Sequence, residues 1–71
     1  MTISLKEEFK QETLKAMNNM TSVIEGKDCV VYLDEDGFDI ATIYKKNNGL
    51  VFSFAPSGKR FLFTEEGLRY A

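Results

Sequence analysis

The sequence contains no histidine and no tryptophan, and it has one cysteine and one proline among its 71 residues. Without histidine the chain lacks the side chain that ordinarily titrates near neutral pH, which handicaps general acid–base catalysis. A single cysteine cannot close an intramolecular disulfide, and no cage of cysteine and histidine can form to hold zinc. We therefore expect a protein that is not an enzyme and that needs neither a cofactor nor a metal.

The one cysteine, Cys29, opens an apolar run over residues 29–33. Because no second cysteine and no histidine can activate it, we interpret Cys29 as a small buried hydrophobic side chain. The unpaired cysteine and the lack of an apolar secretory segment near residue 1 predict a cytoplasmic protein. No apolar run approaches the about 20 residues that a membrane-spanning helix needs, so we expect no membrane partner.

The chain has the composition of a globular protein, with 44% apolar and 28% charged residues. Its length fits a single domain covering residues 1–71. The net charge of −2 hides an uneven distribution, because residues 1–39 contain nine acids and four lysines, whereas residues 40–71 contain five cations and two acids. This asymmetry is a weak indication of a polar partner.

An amphipathic helix is predicted over about residues 4–20. Ser4 and Glu7 have the spacing of a capping box, in which the serine hydroxyl and the glutamate carboxylate each accept a backbone N–H. Gly26 can stop the helix beyond a frayed last turn. Apolar residues recur mostly three or four positions apart, as they do on one face of a helix. This stripe contains Leu5, Phe9, Ala16, Met17, Met20 and Ile24, widened by Leu14 and Val23.

From Asp28 onward the apolar pattern changes to the alternation that is typical of strands. Asp36-Gly37 and Asn48-Gly49 tolerate the positive φ of tight turns, and short connections make neighbouring strands antiparallel. The predicted strands cover about residues 29–33, 38–45, 50–54 and 60–63.

The end of the chain is compatible with a short C-terminal helical turn. Thr64 precedes Glu65 and Glu66, as a capping residue precedes the first turn of a helix, although Gly67 weakens a turn running to Tyr70. The sequence therefore predicts an α+β fold, in which one N-terminal amphipathic helix packs on a four-stranded antiparallel β-meander.

Alternation gives the predicted sheet two faces, and we expect the helix to cover one of them. That set contains Cys29, Val31, Leu33, Phe38, Ile40, Thr42, Leu50, Phe52, Phe54, Phe61 and Phe63. The second face is more apolar than a solvated face should be, although a β-bulge would exchange assignments between the two. Because one helix covers only one face, we predict that the second face or an edge strand binds a protein partner or a second copy as a homodimer. The predicted interaction residues are Val30, Tyr32, Ile43, Val51 and Leu62.

Basic residues interleaved with aromatic ones suggest an alternative function, which is nucleic-acid binding. The candidate residues are Lys45, Lys46, Lys59 and Arg60. Aromatic sheet surfaces with a cationic rim stack bases and hold phosphates. A meander places the first pair of cations at the opposite end of the sheet from the second pair, and a net charge of −2 provides little electrostatic attraction. We therefore rank nucleic-acid binding below protein interaction.

Overall fold

The computed structural model describes residues 3–71, which form one helix followed by six strands. All six strands belong to one sheet, in which they are ordered as in the sequence and every neighbouring pair is antiparallel. The α+β fold with an N-terminal helix and an antiparallel sheet is confirmed, but the sheet has six strands instead of four. The elements are α1 (Leu5–Asn19), β1 (Ser22–Glu25), β2 (Cys29–Leu33), β3 (Asp39–Lys46), β4 (Gly49–Phe54), β5 (Lys59–Thr64) and β6 (Gly67–Tyr70).

The helix begins as the sequence predicts and ends close to the predicted residue. Ser4 caps α1, because its Oγ accepts a hydrogen bond of 3.1 Å from the backbone N–H of Glu7. Within residues 3–71 no helix is long and apolar enough to cross a membrane. Val23 and Ile24 do not extend the helical stripe but lie in β1. A tight hairpin turns β1 onto β2, and the N–H of Gly26 donates to the carbonyl of Cys29 at 2.8 Å.

The expected C-terminal helical turn is wrong, because residues 67–70 form the sixth strand. Glu65 and Glu66 make a two-residue hairpin loop between the paired residues Thr64 and Gly67. Gly67 has a φ of 119°, which a helix cannot accommodate and which glycine adopts more readily than other residues. The chain therefore reverses between Thr64 and Gly67, and residues 67–70 pair with β5.

The strand register fixes which side chains face the helix. Val30, Ile43, Phe52 and Phe61 lie directly opposite one another on four successive strands, so they point to the same face. The ring of Phe9 in α1 packs edge-on against Phe52 and Phe61, with centroid distances of 5.0 and 5.3 Å. This row therefore lies on the helix side of the sheet.

The other side of the sheet we call the open face, because α1, the one described element outside the sheet, lies on the opposite side. Its side chains come from the alternate positions of the same strands. One central row contains Cys29, Tyr44, Val51, Leu62 and Arg69, and the adjacent row contains Ile24, Val31, Thr42, Ser53 and Arg60.

The predicted division into two faces is therefore wrong at the junction between β3 and β4. Cys29, Val31 and Thr42 were expected beside Phe52 under the helix, but they occupy the open face. The irregular register between β2 and β3 pairs Leu33 with Asp39 and skips Ile40. Such a bulge redirects a side chain, and Ile40 is buried beside the helix in a hollow that Glu12, Asn19 and Pro56 also line.

The core between α1 and the sheet is small and aromatic. Phe54 and Phe61 are almost fully buried, and their rings pack at 5.8 Å beneath Phe9. Edge-to-face pairs of this kind add about 0.5–1.5 kcal/mol each beyond the burial of their area. The buried hydrophobic residues among those described are Ile40, Ala41, Val51, Phe54 and Phe61.

Candidate interaction surface

The open face has an apolar centre. Val51 is fully buried there, although α1 lies on the other side of the sheet. Its cross-strand partners Tyr44 and Leu62 flank it and are themselves half-buried. Towards the β1 edge the apolar surface continues through half-buried Val31 to Ile24, which is 55% exposed. Nonpolar side chains therefore extend across the open face from β1 to β5.

Two arginines lie at one side of the open face. Arg60 on β5 and Arg69 on β6 are both exposed, and Arg69 lies opposite Leu62, two residues further along β5. The two arginines are therefore diagonal neighbours on the same face, within reach of a common partner group. Neither belongs to an ion pair within residues 3–71. Strands β1 and β2 contain no cation at all.

The structure divides the five predicted interaction residues between the two faces. Val51 and Leu62 lie on the open face, as side chains of a shared cross-strand pair. Val30, Tyr32 and Ile43 lie on the helix side, because the register aligns them with Phe52 or Phe54, whose rings both contact Phe9. The five residues therefore do not form one surface.

Tyr32 and Ile43 instead line an apolar groove on the helix side. The groove has a volume of about 210 Å³ and lies between the C-terminal half of α1 and strands β2–β4. Met17 and Met20 form its helical wall, and Phe52 contributes to the sheet side. Met17 is 61% exposed, so α1 leaves this part of the helix side partly uncovered.

Sequence reasoning did not assign Ile24, Val31, Tyr44 or Arg69 to an interaction surface. The hairpin between β3 and β4 could have placed some of these residues on the open face. Its loop has two residues, Asn47 and Asn48, and a two-residue loop pairs even-numbered with odd-numbered residues. This parity places Phe52 opposite Ile43 and moves Tyr44 to the other face.

The four cations proposed for nucleic acid are also divided. Nζ of Lys59 lies 2.9 Å from Glu8 Oε1, and Nζ of Lys45 lies 3.9 Å from Asp28 Oδ1, both on the helix side. Lys46 and Arg60 lie on the open face, in different rows and two strands apart. The structure therefore does not bring the four together.

Lys59 belongs to a polar cluster that fastens α1 to the sheet. Glu8 pairs with Lys59 on β5 and accepts a hydrogen bond from the hydroxyl of Tyr70 on β6. The hydrogen bond from Tyr70, followed by that from Lys59, lowers the pKa of Glu8, although desolvation opposes the shift. The same carboxylate raises the pKa of Lys59 and the pKa of Tyr70.

A second contact of the same kind lies one helical turn further along. Glu12 is 8% exposed, and Ser57 in the turn between β4 and β5 donates its hydroxyl to Glu12 Oε1 at 2.8 Å. Lys15 approaches the other carboxylate oxygen at 3.9 Å. Both clusters are satisfied within the chain, so they act as structural ties between α1 and the sheet.

No protein-family model, no curated protein and no solved structure matches this chain. Its own residues are therefore the basis for assigning a function.

Proposed function

We propose that the chain is a small, non-catalytic protein-interaction module that binds another protein surface through the open face. The observation that carries this proposal is the apolar centre around Val51, Tyr44 and Leu62 on the side of the sheet away from α1. Half-buried Tyr44 and Leu62 cover Val51, and Ile24 is 55% exposed, so apolar side chains reach solvent on this face as they do at interaction sites. The single unpaired Cys29 supports a reducing location such as the cytoplasm.

The accessible surface area of the chain is larger than that of a typical monomer of the same mass. The chain exposes 5374 Å². A monomeric protein of 8.1 kDa typically exposes about 4,500 Å². The excess of about 900 Å² is close to the roughly 800 Å² that each partner buries in a standard protein interface. Surface of this extent favours a partner over an isolated monomer.

Two adjacent residues of β5 provide a matched test. Leu62 lies on the open face and Phe63 on the helix side, where Phe63 is 50% exposed. We expect Leu62→Lys to abolish capture of the natural partner from a host extract, because it places a charge in the apolar centre. Phe63→Lys adds the same charge elsewhere and should preserve capture. Equal capture of one identified partner by both variants would contradict the proposal.

Nucleic-acid binding is the alternative that one observation favours. Lys46 and Arg60 share the open face with Arg69 and with the aromatic ring of Tyr44. Filter binding of RNA and DNA across a salt series separates the two functions, because phosphate contacts weaken steeply as salt increases. The interaction proposal predicts no salt-dependent retention, whereas retention that is lost in Arg60→Glu would support the alternative.

A further inference from the structure

We infer that the partner is a second copy of this chain, packed with its open face against the open face of the first. This inference rests on the proposed function, and it names the occupant of the same surface. Two sheets can pack face to face about 10 Å apart, with their strands rotated by about 30°. A two-fold axis makes such a contact self-complementary, so that each open face buries the other.

The size of the open face suits this contact. Six strands spaced by about 4.8 Å make a sheet about 29 Å wide, in a molecule that measures 33 × 33 × 15 Å. The helix does not obstruct this side, because the Phe9 contacts place α1 on the other. A dimer formed in this way has four layers, with the helices outside.

The charges select the orientation of the two-fold axis. An axis across the strands would stack β5 and β6 of both copies, and it would bring two pairs of Arg60 and Arg69 together. An axis along the strands places β5 and β6 of one copy over β2 and β1 of the other, where the strands contain no cation. The second orientation brings the two Lys46 side chains close, but only at the rim of the sheet, whereas the first brings four arginines together. Like charges at an interface are unfavourable, so we infer the second orientation.

The second orientation also provides acidic groups for an arginine. With an axis along the strands, each end of one sheet faces the same end of the other sheet. Arg60 stands near the start of β5, at the end of the sheet where β2 leads into the acidic loop Asp34, Glu35 and Asp36. Arg60 of each copy therefore lies over Val31 of the other copy, on the strand that leads into that acidic loop, and the opposite charges attract.

The first test is the mass of the purified protein in solution. Sedimentation should show a change from monomer to dimer over about 1–100 μM, the range of a modest interface. Leu62→Lys should weaken the dimer by about tenfold or more, as expected at the centre of an interface. Phe63→Lys should leave it nearly unchanged. A monomer at every concentration would overturn the dimer, while the capture test of the proposed function would remain unaffected.

The second test uses the single native cysteine. With the axis along the strands, Cys29 on β2 lies over β5 of the other copy, at the level of Leu62, because both belong to the same row. Two Cys29 thiols are then several strands apart. A short bismaleimide should therefore cross-link Leu62→Cys into covalent dimers, but neither the wild type nor Leu62→Cys combined with Cys29→Ser. Efficient cross-linking of the wild type would overturn the inferred orientation.

Discussion

At Gly49 the fold requires the absence of a side chain. An ideal Cβ at this position would lie 2.7 Å from the carbonyl oxygen of Phe63 and 2.8 Å from Cγ2 of Thr64. Contacts this short involve backbone of the neighbouring strand, which cannot move without disturbing the sheet. Gly49 therefore permits the close approach of β4 and β5, and the positive φ of the turn falls on Asn47 instead.

We predict that Gly49→Ala lowers the free energy of unfolding by about 1–3 kcal/mol, the usual cost of overpacking. Chemical denaturation followed by circular dichroism measures this change. Asn48→Ala, in the exposed loop beside it, serves as the control and should change stability by less than about 0.5 kcal/mol. Equal stability of Gly49→Ala and the wild type would show that β5 does not approach β4 this closely.

At the scale of elements, Glu8 connects α1 to the two C-terminal strands. Its carboxylate accepts from Tyr70 on β6 and pairs with Lys59 on β5. These contacts favour the charged carboxylate and lower its pKa from the usual 4.5. A lowered pKa in the folded state stabilises the fold above the unfolded pKa, and this contribution is lost as the pH falls through the folded value.

We therefore predict a loss of stability below about pH 4.5 that depends on Tyr70 and Lys59. Urea unfolding of Tyr70→Phe combined with Lys59→Met should fall less steeply with pH than that of the wild type. Tyr44→Phe, on the opposite face, should retain the wild-type slope. At alkaline pH the sign reverses, because the raised pKa values of Lys59 and Tyr70 mean that their contribution is lost as the pH rises through them. Identical acid slopes for all variants would exclude a contribution from this cluster.

The helix and the four central strands were predictable because their patterns are long and their caps or turns are specific. The two edge strands, β1 and β6, were not predictable. Val23 and Ile24 in β1 continue the three-and-four spacing of α1, so local periodicity cannot separate a four-residue strand from a last helical turn. In β6 the preceding pair Glu65 and Glu66 suits a helix start as well as a hairpin loop. Each edge segment becomes a strand because it pairs with its neighbour, β2 or β5. Such pairing between strands cannot be inferred from the local sequence.

The candidate surface was only partly predictable for a related reason. The sequence predicts an uncovered apolar face because it has more apolar strand residues than one helix can cover. Which residues lie on that face depends on the register between β3 and β4, where a shift of one residue moves every side chain to the other face. Val51 and Leu62 were assigned to the uncovered side, whereas Val30, Tyr32 and Ile43 were exchanged for residues such as Val31 and Tyr44.

At the scale of the whole molecule, one helix of 15 residues packs on six strands. A helix about 10 Å wide covers about two strands. The buried core is correspondingly small, and the molecule is only 15 Å thick along its shortest axis. Packing two open faces together would bury the half-buried Tyr44 and Leu62 above Val51, which is already buried. In the dimer that we propose, this fold forms half of a larger, symmetric structure.

Reactivity of the Cys29 thiol tests the proposed dimer most directly, because Cys29 lies on the open face and is the one cysteine in the chain. The rate of its reaction with excess maleimide should fall as the protein concentration rises, in the wild type and in Phe63→Lys alike. Leu62→Lys should react at the rapid, monomer-like rate at every concentration. A wild-type rate that is independent of concentration and equal to that of Leu62→Lys would contradict the claim that two open faces cover each other.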